Sequence, residues 1–175
     1  MSSRVFIVGI GAILAAGCAR GPASFAMPPQ RSLDLGQNPG GRGAWVAMDD
    51  PAAADYIVRD ISPQPDHHRW AFAHPEMRFR LRDSRYSKFA AEFAIPPATF
   101  RTTGPVTIQV AVNGVRLEPF RCDHAGDYRL ERTVPPAAIA SHDDLHVTFE
   151  TNPLWVSPED GAQLSFYLRA AGFLR

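Results

Sequence analysis

The sequence predicts an all-β protein built as an antiparallel two-sheet β-sandwich, and three observations predict it. Apolar and polar residues alternate with period 2 in several short segments, an Asn-Gly pair joins two of them, and no run carries a sustained helical period. About eight such strands, each with one apolar face, bury those faces best by packing two sheets together.

Each element follows from its own pattern. In "MRFRLR" Met77, Phe79 and Leu81 fall on one face while Arg78, Arg80 and Arg82 fall on the other. "KFAAEFAI" turns Phe89, Ala91, Phe93 and Ile95 inward, and "VTIQVAV" does the same with Val106, Ile108, Val110 and Val112. Asn113-Gly114 sits between Val112 and Val115 and predicts a type I′ hairpin, because both central positions of that turn require positive φ. "YRLERTV" (128–134), "LHVTFET" (145–151) and "QLSFYLRAAGF" (163–173) continue the alternation, with "YIVRDI" (56–61) as the first strand. Pro135 to Ala140 fits one short helical turn in a connection. An outer-membrane barrel needs strands of about ten residues with an outward apolar band, and these segments are mostly shorter.

The amino terminus is organised differently. Arg4 precedes a twelve-residue apolar run, Val5 to Ala16, which suits a secretory h-region and falls short of the roughly 20 residues of a spanning helix. "LAAGC", ending at Cys18, resembles the lipobox of bacterial lipoproteins, with leucine four residues before the cysteine where three is commoner. That resemblance implies a signal peptide over 1–17, removal of it, and lipid (thioether and palmitate) on Cys18. The competing readings are an ordinary signal-peptidase site near Ala16 or Gly17 and an incidental cysteine in a discarded leader. Ala19 is not the aspartate associated with inner-membrane retention, so the family pattern points to a cell-envelope protein at the outer membrane, facing periplasm or exterior. Residues 18–43 hold nine Pro or Gly among positions 19–43 and no apolar period, which reads as a flexible tether of about 25–30 Å mean reach. The sandwich domain then occupies 44–175.

Composition excludes some classes. The chain carries 18 basic and 18 acidic residues; without 1–17, which contain only Arg4, 17 stand against 18 and the net charge is −1. No nucleic-acid footprint follows from that balance. The sequence contains no G-x-S-x-G, H-E-x-x-H or P-loop, so it gives no reason to expect an enzyme, catalytic residues or a cofactor. Cys122, beside Asp123 and His124, reads as a small buried hydrophobe rather than a nucleophile, since adjacent residues on an extended strand do not face one another. The same geometry argues against a metal at Asp66, His67, His68 and His74.

The run "FAIPPATFRTTGPVTIQVAVNGVRLEPF", with "TVPPAAI" and the closing "NPLWVSPEDGAQLSFYLRAAGF", resembles the galactose-binding-like jelly-roll sandwiches of bacterial envelope and carbohydrate-active proteins over about residues 55–175. The resemblance implies a non-catalytic domain that binds carbohydrate with loops at one end. It supplies no ligand residue, so candidate sites come from side-chain chemistry. Trp70 and Trp155 flank turns and offer faces for sugar C–H surfaces, with Arg69 and Asp160 for hydroxyls; the plainer account is that tryptophans cap the core. Arg78, Arg80 and Arg82 form an anion-binding candidate for acidic polysaccharide or lipid A, against a solvated face neutralised by cross-strand acids such as Glu92. Two functions follow: a tethered carbohydrate-binding module, or a structural lipoprotein that docks another envelope protein through a sandwich face.

The anchor is tested by Cys18→Ser, which is expected to abolish incorporation of labelled fatty acid and to release the protein from membranes. A native chain that takes up no label contradicts the lipobox reading.

Overall fold

The computed structural model describes residues 43–64, 67–82, 85–141 and 143–175; the leader, Cys18, the tether as far as residue 42, and Asp66 lie outside the described residues. In chain order the elements are β1 (Trp45–Ala47), a 3₁₀ turn (Pro51–Tyr56), β2 (Ile57–Ile61), β3 (Arg69–Phe79), β4 (Lys88–Ile95), α1 (Pro97–Thr103) and β5 (Val106–Val112). There follow β6 (Val115–Arg116), β7 (Phe120–Cys122), β8 (Gly126–Thr133), a 3₁₀ turn (Pro136–Ile139), β9 (Leu145–Asn152), β10 (Trp155–Val156), β11 (Gln163–Leu164) and β12 (Tyr167–Leu174).

All described pairings between strands are antiparallel, and they form two packed sheets. The first runs β8–β4–β12, with β1 on the far edge of β12; the second runs β2–β3–β9–β5, with β6 and β7 both on β5. Strand β3 belongs to both. Its first residues pair with β12, Trp70 opposite Tyr167, and its last four pair with β9, Phe79 opposite Leu145. The small hairpin β10–β11 pairs as a third sheet, and Ser165 just after it donates to the Ala71 carbonyl of β3 at 2.8 Å.

Rings fill the space between the two main sheets. Phe79 of β3 meets Phe89 of β4 at 6.3 Å and Phe173 of β12 at 5.5 Å between centroids. Phe89 meets Phe149 of β9 at 5.9 Å, and Phe166 joins Phe149 to Phe93 at 5.6 and 5.2 Å. None of these strand pairs is hydrogen-bonded through the ring-bearing residues, so the contacts run face to face across a sandwich core. Most are edge-to-face, the arrangement that the ring quadrupole favours. Phe79, Leu81, Phe93, Ile108, Val110, Phe149 and Phe166 are all buried here, as alternation requires.

Two glycines do specific work. Asn113 and Gly114 have φ of 47° and 79°, the pair of positive values a type I′ turn needs. Asn113 also ties this hairpin to its neighbours, its side chain donating to the Ala138 carbonyl and accepting from the His146 N–H, both at 2.9 Å. At Gly172 a Cβ would stand 2.1 Å from the Ala44 carbonyl oxygen, so only glycine lets β1 lie against β12. The residue after it, Phe173, enters the core.

The differences from the sequence reading are local. The segment 163–173 is broken between Leu164 and Tyr167, where Ser165 and Phe166 cross from the small hairpin into β12. "HHRWAFAHPE" supplies the beginning of β3 rather than a turn, and β3 ends at Phe79, so Arg80 and Arg82 lie beyond it. Helix α1 escapes a periodicity test because it has only seven residues, opened by consecutive prolines and closed at Gly104 with φ 67°.

Because Phe89 touches rings from both sheets, Phe89→Ala is expected to cost about 3–5 kcal/mol, read as a lower urea midpoint. A loss below about 1 kcal/mol, as at exposed sites, contradicts this core.

Candidate functional site

The outward face of β8–β4–β12 is shaped by where its small residues fall. Strand β4 turns Ala90, Glu92 and Ala94 outward, and Ala94 lies in register between Tyr167 of β12 and Asp127 of β8. A trench opens on this face along β4 and β8. Its volume is about 290 Å³, and Glu92, Phe93, Asp127, Tyr128, Arg129 and Arg169 line it. Phe93 and Tyr128 stack on each other beneath it, 5.7 Å apart and 17° from parallel, so they contribute floor rather than walls.

Two ion pairs form the walls. The pairing of β12 with β4 shifts register between Leu168 and Ala170, and from this bulge the Arg169 guanidinium reaches Asp127 of β8 at 2.8 Å. Arg129 donates to Glu92 across the strand pair and to Glu131 at 2.9 Å, while its guanidinium carbon lies 5.8 Å from the Trp45 ring centroid. Hydrogen bonds from Arg129, first to Glu131, raise its pKa still further above the ordinary value, so its charge is permanent. These five charged side chains are 40–66% exposed, which leaves part of each open to a ligand.

An aromatic ledge adjoins the trench. Trp70 lies 3.9 Å from Tyr167 between ring centroids, tilted by 43°, and His68 meets Tyr167 edge-on at 4.3 Å. Trp70, Tyr167, Ala94 and Asp127 therefore follow one another across the sheet in a single row of register partners.

The residues expected from sequence fall in different places. Trp70 is half-buried on this ledge, but Arg69 is turned the opposite way and only 2% exposed. Its Nε donates to the Met48 carbonyl at 3.0 Å and its Nη1 to the Pro63 carbonyl at 3.2 Å. Arg69 is thus spent on pinning the start of β3, which corrects its assignment to ligand hydroxyls. Trp155 sits opposite Leu164 in the β10–β11 hairpin and is not part of the register row that carries Trp70. Asp160 closes the turn of that hairpin by accepting from the Ala162 N–H at 3.1 Å, and a hydrogen bond from Ser157 chiefly holds its carboxyl below the usual range.

The arginine stripe does not stay on one strand, because β3 ends at Phe79. Arg78 donates to the Asp55 carbonyl at 3.4 Å, Arg80 pairs with Asp143 at 3.1 Å, and Arg82 lies exposed past the strand end. Glu92, expected near them, belongs to the other sheet. The stripe's neighbours on β2, β3 and β9 form their own network, in which Glu76 holds both Arg59 at 2.8 Å and His146 at 2.7 Å. Cys122 is fully buried and its thiol is pushed up to about 12, first by burial and then by Asp123, so it is no nucleophile at neutral pH. His74 is exposed and far from His68 in the fold of β3, and no group of three or more His, Cys, Asp or Glu able to hold a metal stands together among the described residues.

Glu92, Asp127, Arg129 and Arg169 were missed by the sequence reading. The first and third were visible as outward positions of alternating strands; the other two needed the register and the bulge.

Solved structures of similar shape include a carbohydrate-binding module, CBM36, in complex with calcium and xylotriose, which is 11% identical over 74% of this chain and 98% of that one, with a TM-score of 0.42. An exo-β-1,3-galactanase from Phanerochaete chrysosporium with β-1,3-galactotriose is 8% identical over 77% of this chain and 29% of its own, at 0.41. CBM51 and INT domains from Clostridium perfringens, in complex with GlcNAc, are 12% identical over 76% and 28%, at 0.33. No protein-family model matches the chain, and no curated protein matches it in sequence.

The Glu76 network has a pH signature. Hydrogen bonding to Glu76, then to Asp144, raises the His146 pKa above its ordinary value, with Arg78 opposite on β3. Stabilisation from this pair is complete below the unfolded value of about 6.5 and is lost as pH rises through the higher folded value. His146→Gln is therefore expected to flatten the fall in melting temperature between mildly acidic and mildly alkaline pH. An unchanged slope contradicts the pairing.

Proposed function

We propose that this sandwich is a non-catalytic carbohydrate-binding module that seats a glycan along the outer face of β8–β4–β12, on the Trp70–Tyr167 ledge and in the trench beside it. The single observation that carries the reading is the register row Trp70–Tyr167–Ala94–Asp127, which puts an aromatic surface directly beside exposed hydrogen-bonding pairs. A pyranose has apolar C–H faces and a hydroxyl rim. The ledge offers dispersion contact to the first, and carboxylate and guanidinium groups offer acceptors and donors to the second. A deep apolar ligand is a poor fit, because the trench walls are charged.

Protein docking through a sheet face is less well supported. The large apolar side chains most exposed among the described residues, Val58, Val115 and Val156, stand on β2, β6 and β10 and form no single patch. In the proposed arrangement lipid on Cys18 would hold the chain at the outer membrane, and the tether would carry the module clear of the headgroups.

A glycan array with the full chain, followed by calorimetric titration of the best binder, tests the reading. Trp70→Ala and Tyr167→Ala are each expected to weaken binding about tenfold or more, a loss of about 1.4 kcal/mol, whereas Trp155→Ala is expected to leave it unchanged. Loss in Trp155→Ala alone places the site on the β10–β11 hairpin instead.

A further inference from the structure

We infer that the groove takes a neutral, hydroxyl-rich glycan, and that its carboxylates serve to exclude acidic polymers; this rests on the carbohydrate reading above. The groove and its rim hold three carboxylates, Glu92, Asp127 and Glu131, against two guanidinium groups, Arg129 and Arg169. Both cations are already engaged, Arg129 by Glu92 and Glu131, Arg169 by Asp127 at 2.8 Å. An acidic sugar would have to displace a carboxylate from a short pair and then remain beside it, a like-charge contact that disfavours the wrong partner. An ammonium sugar is drawn by the one excess carboxylate, yet at every carboxylate here it would also lie beside a guanidinium, again a like-charge contact.

A neutral hydroxyl meets neither. A carboxylate has about four acceptor sites and a guanidinium five N–H donors, so each pair keeps unused capacity after the bonds described. One hydroxyl can donate to the carboxylate and accept from the guanidinium of the same pair without separating them. The pairs are fixed in advance by strand register and by the bulge at Arg169, so little ordering is left for the moment of binding. The cationic residues that sequence offers for acidic polymers, Arg78, Arg80 and Arg82, are no part of this groove, since they lie at and beyond the end of β3 that pairs with β9.

The experiment titrates the full chain with neutral tetrasaccharides from a hexose and pentose panel, with tetragalacturonate and with the glucosamine tetramer, at ionic strengths of about 0.01 and 1 M. The best neutral ligand is expected to bind about tenfold more tightly than either charged one and to change little with salt. The double variant Glu92→Gln with Asp127→Asn is expected to gain salt-sensitive binding of tetragalacturonate, with thermal unfolding confirming that it is folded. Preference of the parent for the acidic or the amino sugar overturns the neutral class while leaving carbohydrate binding in place. Failure of the double variant to gain the acid, with neutral binding present in the parent, overturns the excluding role of the carboxylates. Binding of no sugar at all overturns both this inference and the function it rests on.

Discussion

Everything else in the domain depends on the contact of Phe79 and Phe149 from one sheet with Phe89, Phe93 and Phe173 from the other, relayed through Phe166. Six rings bridging two sheets fix both their separation and their relative slide, because edge-to-face packing has a narrow range of good geometry. The rings also commit one face of each strand to the interior, and a strand with a committed face cannot slip by one residue without turning that face to solvent. With the inner face settled, the outer one is settled as well. Ala94 must lie between Tyr167 and Asp127, and Glu92 must face Arg129.

That constraint explains how an exposed site can be well formed on a small sandwich. Its side chains sit on paired strands rather than on loops, and the one irregularity, the bulge beside Arg169, is held between β4 and β1. The other anchor is Arg69, a buried charge whose desolvation is offset by the carbonyls of Met48 and Pro63. By gripping those two loops it fixes where β3 begins, and with it the position of Trp70. A residue expected to touch ligand instead holds the one beside it that does so in our account.

The inner face was legible in the sequence and the outer face was only half so. Period-2 alternation reports which side of a strand is apolar, so β4, β5 and β9 and their buried residues could be read directly, as could the hairpin at Asn113-Gly114. Alternation says nothing about which strand lies beside which. The neighbours of Glu92 were therefore misjudged, since strand order places β8 and β12, not β3, against β4. Short elements such as β1, β7 and α1 carry too few residues for any period to register, and β1 depends on a close approach at Gly172 that no local pattern announces. The arginine stripe shows the opposite error: a regular charge pattern is conspicuous in text, yet its partners Asp55 and Asp143 come from distant segments.

The three tryptophans, at positions 45, 70 and 155, allow the central claim to be tested in one experiment, because each gives its own indole N–H resonance. The measurement is a two-dimensional NMR titration of the labelled protein with a neutral oligosaccharide, the indole signals having been assigned by single substitution. Trp70 lies on the ledge and Trp45 beneath Arg129, so our account has both signals moving together along one saturable curve while that of Trp155 stays fixed. Movement of Trp155 alone, with Trp45 and Trp70 stationary, would contradict a site on the outer face of the β8–β4–β12 sheet.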